Sequence, residues 1–85
     1  MNTRLTIIYR GLRGEHCSTH RRYSSELWDD CVMSAAKELR QFAREGVQTE
    51  PGQRDIIAAE LADEQRAENG ATLNKVFQPS EWATR

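Results

Sequence analysis

Residues 28–43 carry the pattern that most constrains the fold of this chain. Apolar side chains recur there every three or four residues, and at about 100° per residue they fall within an arc of roughly 140°. The arc consists of Trp28, Cys31, Val32, Ala35, Ala36, Leu39, Phe42 and Ala43. Ser24 and Ser25 can cap free amides at the start, and Gly46 can adopt the left-handed conformation that ends a helix. The pattern predicts an amphipathic helix with one face in the core.

Residues 3–10 alternate in polarity and predict a half-buried strand. Leu5, Ile7 and Tyr9 share one face, and the other face carries Arg4, Thr6, Ile8 and Arg10. Gly11 and Gly14 allow the chain to reverse, so residues 15–23 could return as an antiparallel strand. This returning segment is polar, and a loop explains it almost as well.

The next segment predicts a second helix that runs to about Glu68. Thr49 is a suitable cap, Pro51 fits a first helical turn, and Asn69-Gly70 can stop the helix. Its inner stripe would be Ile57, Ala58, Leu61, Ala62 and Gln65. Two connected helices of this kind are expected to pack antiparallel.

The last part of the chain predicts a short third strand over residues 73–77 and a terminal turn over residues 79–82. The predicted fold is therefore α+β, a single domain over residues 1–85, with an N-terminal β-hairpin packed on two antiparallel helices and a short C-terminal strand. The expected core is Leu5, Ile7, Tyr9, Trp28, Val32, Ala35, Leu39, Phe42, Ile57, Leu61, Leu73, Phe77 and Trp82.

The size of the chain limits the chemistry it can enclose. Only 38% of its 85 residues are hydrophobic, so we expect one small core and no large substrate pocket. No catalytic or cofactor motif is present in the sequence, which predicts a protein that is not an enzyme and binds no cofactor. A thin core also means that a homodimer or another partner could contribute noticeably to stability.

Charge is divided along the chain. Residues 1–23 hold five arginines and Glu15 as their single acid, whereas the rest of the chain is acidic. The longest apolar run near the N-terminus, residues 5–9, is too short for a signal peptide or a membrane span, so we expect a soluble cytoplasmic protein with no membrane partner. Cysteines in that compartment normally stay reduced.

His16, Cys17, His20 and Cys31 have a spacing loosely compatible with tetrahedral zinc. A strand over residues 15–23 would place His16 and His20 on one face and Cys17 on the other. Cys31 lies on the apolar arc of the first helix. This geometry favours both cysteines as core residues and both histidines in solvent, with no metal. The same alternation argues against a catalytic triad built from Cys17 or Ser18.

The predicted second helix suggests a binding surface. Its acidic residues surround a single isoleucine, giving the candidate partner-binding set Asp55, Ile56, Glu60, Asp63 and Glu64. Carboxylates can steer an encounter with a basic surface, and an apolar anchor can hold it. The first hypothesis is a non-enzymatic protein, of the kind carried by phages or plasmids, that inhibits or regulates a protein or ribonucleoprotein partner with a basic surface.

The second hypothesis is nucleic-acid binding through the N-terminal arginines. Guanidinium groups match phosphate oxygens, which gives the candidate set Arg4, Thr6, Arg10, Arg21 and Arg22. The segments Arg4-Leu-Thr-Ile-Ile-Tyr-Arg10, Ser25-Glu-Leu-Trp28 and Gly46-Val47 resemble the ribbon-helix-helix family of DNA-binding repressors and antitoxins. That resemblance implies an intertwined dimer whose outward strand residues, here Arg4, Thr6 and Ile8, enter a DNA groove.

Overall fold

The structure, a computed structural model, describes residues 2–11, 13–48, 55–64 and 73–83, and for residues 46–48 it describes the backbone alone. The described elements follow the order β1 (Thr3–Arg10), β2 (His16–Tyr23), α1 (Trp28–Gln48), β3 (Asp55–Asp63) and β4 (Asn74–Val76), with a short 3-10 helix at Pro79–Glu81. All neighbouring strands are antiparallel, and their order in the sheet is β2-β1-β3-β4. The helix packs across one face of this four-stranded sheet.

The N-terminal hairpin forms as the alternation predicted. Eight residue pairs join β1 to β2, from Thr3 opposite Tyr23 to Arg10 opposite His16. The turn is closed by hydrogen bonds from Gly11 N to Glu15 O at 2.8 Å and from Gly14 N to Gly11 O at 3.0 Å. Gly14 has a φ of +82°, which side-chain-bearing residues rarely adopt. Residues 16–23 are therefore a strand and not a loop.

The helix α1 also matches its predicted position, with shifted ends. It begins at Trp28, after Ser25 Oγ accepts a hydrogen bond from Leu27 N at 3.2 Å. It continues past Gly46 to Gln48, so the predicted stop at this glycine is wrong by two residues. Cys31, Ala35, Leu39 and Phe42 on its apolar arc are buried.

The prediction of two antiparallel helices is wrong, because residues 55–63 form the strand β3. This strand pairs with β1 over almost its whole length and with β4 on its other side. Ala58, Leu61 and Ala62 have side chains that favour a helix. Pairing with β1 and β4, in a sheet that packs one face against α1, overrides this helix propensity. The predicted helix start at Thr49 and Pro51, its stripe residue Gln65 and its stop at Asn69-Gly70 lie outside the described residues. The arrangement also differs from a ribbon-helix-helix fold, since β1 is paired on both sides within its own chain.

The core lies between α1 and the covered face of the sheet. Leu5, Ile7, Leu39 and Leu61 are all buried to 2% exposure or less, and Tyr9 packs edge-on against Phe42 with ring centroids 5.1 Å apart. The predicted core is confirmed at Leu5, Ile7, Ala35, Leu39, Phe42, Leu61 and Phe77; Tyr9, Trp28, Val32 and Trp82 pack against it while partly buried. Leu73 is partly exposed, and Ile57 is exposed, so its core assignment is wrong.

The C-terminal strand and turn are present. β4 pairs with β3 through Val76 opposite Glu60, and Phe77 N continues the pairing by donating to Ala59 O at 2.9 Å. Phe77 thereby enters the core. The 3-10 helix then returns Trp82 to the body of the domain, as the sequence predicted.

Candidate functional site

One face of the sheet is not covered by the helix, and we call it the open face. Residues directly opposite each other on paired strands share a face, so the register fixes its members. From β1 and β2 these are Arg4, Thr6, Ile8, Arg10, His16, Ser18, His20 and Arg22. From β3 and β4 they are Asp55, Ala58, Glu60, Ala62, Asn74 and Val76. Within the described residues, α1 packs against the other face of the sheet and no element covers this one.

Charge on the open face is divided by strand. The arginines and histidines all lie on β1 and β2, which we call the basic half. The carboxylates of Asp55 and Glu60 lie on β3, and Glu64 follows directly after that strand. Antiparallel strands are about 5 Å apart, so the change of sign occurs between two adjacent strands. The charge separation seen along the sequence thus becomes a separation across one surface.

Two contacts fix side chains on the basic half. The guanidinium of Arg4 forms an ion pair with Glu64, with Nε and Oε1 3.1 Å apart. The ring of His20 lies next to Thr6, with Nδ1 3.2 Å from Thr6 Oγ1. Within the described residues, no carboxylate forms an ion pair with Arg10 or Arg22. In the strand register Arg22 lies opposite Arg4, and Arg10 lies between His16 and Asp55.

The centre of the open face is apolar. Ile8 is 36% exposed and Val76 is 54% exposed, and with Ala58 between their strands they line a shallow depression of about 260 Å³. Thr6 and Glu60 form its polar rim. Exposed aliphatic side chains beside guanidinium groups can contact an apolar or aromatic ligand group while the charges bind an anionic one.

Arg21 is separated from the other four residues of the predicted nucleic-acid set. It lies opposite Leu5 and therefore on the helix side of the sheet, where Nε is 3.7 Å from Glu38 Oε2. The structure thus brings Arg4, Thr6, Arg10 and Arg22 together and excludes Arg21.

A groove of about 250 Å³ lies on the helix side, between β2 and α1, and includes Thr19, Arg21 and Glu38 in its lining. Tyr23 lies nearby with its hydroxyl oxygen buried and without a hydrogen-bond partner in the described structure. Burial is the main cause that raises the pKa of Tyr23 to about 12, and the charge of Glu38 adds to it. This tyrosine is therefore a neutral phenol at ordinary pH.

The acidic set does not form the surface that the sequence predicted. Ile56 is only 9% exposed and belongs to the core, and Asp63 is 1% exposed on the covered face. Asp55 and Glu60 are exposed on the open face, and Glu64 pairs with Arg4. The acidic helix face does not exist, because strand periodicity sends alternate residues of this segment to opposite sides.

The two histidines and Cys17 alternate between the faces of the sheet, as residues of one strand do. His16 and His20 lie on the open face, whereas Cys17 is half-buried on the other side of the sheet and Cys31 is buried on the inner face of α1. Both thiols are free. No group of three or more potential metal ligands occurs among the residues that the structure describes.

Sequence reasoning missed several members of this site. The sequence predicted no role for His20 beyond exposure to solvent, which the structure confirms, and it placed Ala58 on a helix. It placed Val76 on the correct strand but not on a binding surface. The alternation of residues 16–23 was a usable signal for His20, because it pairs this histidine with Thr6 once a hairpin is accepted. The position of Ala58 follows from the pairing of β3 with β1, which the local sequence does not encode.

No protein-family model, curated protein or solved structure matches the chain. Its function is therefore argued from the open face. No helix in the described part of the chain combines the length and the apolar character that crossing a bilayer requires.

Proposed function

We propose that the protein is a non-enzymatic nucleic-acid-binding protein with a regulatory role, and that the basic half of its open face is the binding surface. The observation that supports this most is the position of Arg10 and Arg22 at the two ends of the basic half, on a sheet face that no described element covers. Among the described residues neither arginine forms an ion pair, and Asp55 lies opposite Arg10 in the strand register. Arginine forks bind phosphate oxygens with two parallel hydrogen bonds. We also propose a cytoplasmic location, as expected from the sequence.

The surroundings of these arginines support the same chemistry. Thr6 and Ser18 place hydroxyl groups on the same half of the face, and such groups commonly donate hydrogen bonds to phosphates. Arg4 adds a third guanidinium directly opposite Arg22, and these two arginines lie about 20 Å along the hairpin from Arg10 at the usual rise per residue. An anionic chain lying along β1 could contact all of these groups.

The first hypothesis of the sequence analysis, capture of a partner with a basic surface, now has less support. Two of its five residues, Ile56 and Asp63, are buried, and Glu64 is already paired. A basic protein partner would have to bind mainly through Asp55 and Glu60. The basic half keeps four of its five predicted residues on one surface, which is why we prefer nucleic acid.

The test is the salt dependence of binding to labelled oligonucleotides. Arg10→Gln and Arg22→Gln should each weaken binding and should each lower the slope of log affinity against log salt by about 0.7 to 0.9. Arg21→Gln is the matched control, because it removes the same charge from the helix side of the sheet. It should leave the slope nearly unchanged.

Two results would reject the proposal. One is the absence of detectable binding to single strands or duplexes at low salt. The other is an equal loss of slope in Arg21→Gln and Arg10→Gln, which would mean that net charge and not the open face determines binding. If charge reversal at Asp55 and Glu60 abolished capture of a basic protein instead, the first hypothesis would be restored.

A further inference from the structure

We infer, building on the proposed function, that the ligand is single-stranded nucleic acid whose bases contact His20 and Ile8, and that Glu60 disfavours a duplex.

The basic half is too narrow for two phosphate backbones. It spans β1 and β2, which are about 5 Å apart, and the carboxylates of β3 begin about 5 Å beyond β1. In a DNA duplex the second backbone lies across a groove of about 6 to 12 Å. A duplex with one backbone along β1 and β2 would therefore bring the other over Glu60. A single strand can keep its phosphates on β1 and β2 and so away from Glu60, although Asp55 lies directly opposite Arg10.

Among the described elements, none is placed to enter a duplex groove. The major groove admits an α-helix or a two-stranded ribbon. Here α1 packs against the opposite face, and β1 is flanked by both β2 and β3 in a four-stranded sheet. A broad sheet surface instead suits a strand whose bases are unpaired and can lie flat.

The centre of the face offers contacts for such bases. The hydrogen bond with Thr6 holds the His20 ring on the open face, and histidine is one of the side chains on which unpaired bases stack. Ile8 is the residue two positions along β1 from Thr6, and it opens into the depression that Ala58 and Val76 also line. Phosphates on Arg10 and Arg22 would leave the bases over this region.

Glu60 is the residue that we expect to discriminate between the two ligands. It lies directly opposite Thr6 on β3, so its carboxylate is the closest acid to the centre of the face in the pairing register. Glu60→Gln should raise the affinity for a duplex several-fold and change the affinity for a single strand by less than twofold. Asp30→Asn is the matched control, because it removes one exposed carboxylate from α1 on the opposite side of the sheet.

The experiment measures fluorescence anisotropy at low salt with a labelled DNA strand of about ten nucleotides, the RNA of the same sequence and the blunt DNA duplex. At least one single strand should bind tenfold or more tightly than the duplex. His20→Ala should reduce single-strand affinity at least fivefold, in line with the loss of one base stack, and leave the salt slope unchanged.

The outcomes separate this inference from the proposed function. A duplex that binds as tightly as both single strands, with the arginine variants behaving as described, rejects the inference and leaves the proposed function standing. A single-strand preference that survives both His20→Ala and Glu60→Gln unchanged rejects the assigned roles of these residues. If neither kind of ligand binds, both proposals fail together.

Discussion

Ile56 and Ile57 are adjacent in sequence but lie in opposite environments, with 9% and 41% of their surfaces exposed. Ile56 lies opposite Tyr9 and enters the core, while the register between β1 and β3 shifts at the next position so that Ile8 faces Ala58. Ile57 is the extra residue of this β-bulge. The pair therefore distinguishes strand from helix in this segment, because a helix with the predicted stripe would bury Ile57 and expose Ile56.

We expect Ile56→Ala to lower the free energy of unfolding by about 2 to 4 kcal/mol, since it leaves a cavity in the core. Ile57→Ala removes the same atoms from an exposed position and should cost less than about 1 kcal/mol. Denaturant unfolding of the two variants measures the difference. If Ile57→Ala lowered the free energy of unfolding more than Ile56→Ala, the strand register would be contradicted.

Removing the carboxylate that pairs with Arg4 should strengthen nucleic-acid binding. Glu64 partly neutralises this guanidinium at 3.1 Å. Exposed ion pairs of this kind contribute about 0.2 to 1 kcal/mol, so Glu64→Gln should raise the affinity for a single strand by up to about fivefold. Anisotropy titrations at fixed low salt measure the gain. In an Arg4→Gln background the same substitution should give no comparable gain, and an undiminished gain there would show that Arg4 does not contact the ligand.

The buried hydroxyl of Tyr23 should cost stability and not supply it. An unpaired buried hydroxyl carries a desolvation penalty that a phenyl ring lacks, so Tyr23→Phe should leave the free energy of unfolding unchanged or raise it by about 1 kcal/mol. Denaturant unfolding at pH 7 measures this. A loss of several kcal/mol would mean that the hydroxyl has a partner.

Tyr23 should also make the protein sensitive to alkaline pH. Burial and Glu38 raise the pKa of Tyr23 from its ordinary value of 10.0 to about 12 in the folded state. Because the phenol loses its proton more easily in the unfolded chain than in the folded one, the free energy of unfolding is unaffected below pH 10 and falls as the pH rises towards 12. The unfolding free energy of the unmodified protein should therefore fall more steeply over that range than that of Tyr23→Phe. If the free energies of unfolding of the two proteins fell in parallel over this pH range, the prediction would be contradicted.

Glu81 should make the C-terminal turn sensitive to acid. Its side chain accepts a hydrogen bond from Gln78 N at 2.7 Å and lies 3.1 Å from Lys75 Nζ. The hydrogen bond first, and then Lys75, hold the pKa of Glu81 below its ordinary value of 4.5. Its stabilising contribution is present above that value and is lost as the pH falls through the lowered pKa. Glu81→Ala should therefore be slightly destabilised at pH 7, by less than about 1 kcal/mol, and the difference should shrink as the pH falls below 4.5. A difference independent of pH would point to packing instead of charge.

The elements that the sequence predicted well are those whose local pattern agrees with their final environment. In α1 the spacing from Cys31 to Phe42 follows the helical period, and the same stripe becomes the buried face. In β1 the alternation of Leu5 and Ile7 with Arg4 and Thr6 predicts which side chains leave the core, and hence the part of the open face that β1 contributes. The two glycines after β1 allow a hairpin, but the polar composition of residues 15–23 leaves a loop almost equally compatible with the sequence.

The segment from Asp55 to Asp63 was mistaken for a helix because its composition favours that structure. Alanine, leucine and glutamate are good helix formers, and Ala58, Leu61 and Ala62 also satisfy a helical stripe. This segment forms a strand because it pairs with β1. β1 is distant in the sequence, so no local pattern indicates that pairing. The alternation of Ala59, Glu60 and Leu61 was the remaining signal, and the bulge at Ile57 interrupts it. The positions of Asp55 and Glu60 on the open face were missed for the same reason.

The two-sided pairing of β1 has a consequence for how the chain folds as it is synthesised. Thr3 meets Tyr23 after twenty residues, but its other neighbour, Asp63, is sixty residues away. The hairpin can therefore form early, whereas the second side of β1 stays unpaired until the later strand has left the ribosome, and such distant pairings form slowly. During that interval the charges of Arg4 and Arg10 discourage nascent hairpins from adding to one another. These two arginines would therefore limit aggregation of the growing chain before it can bind any ligand.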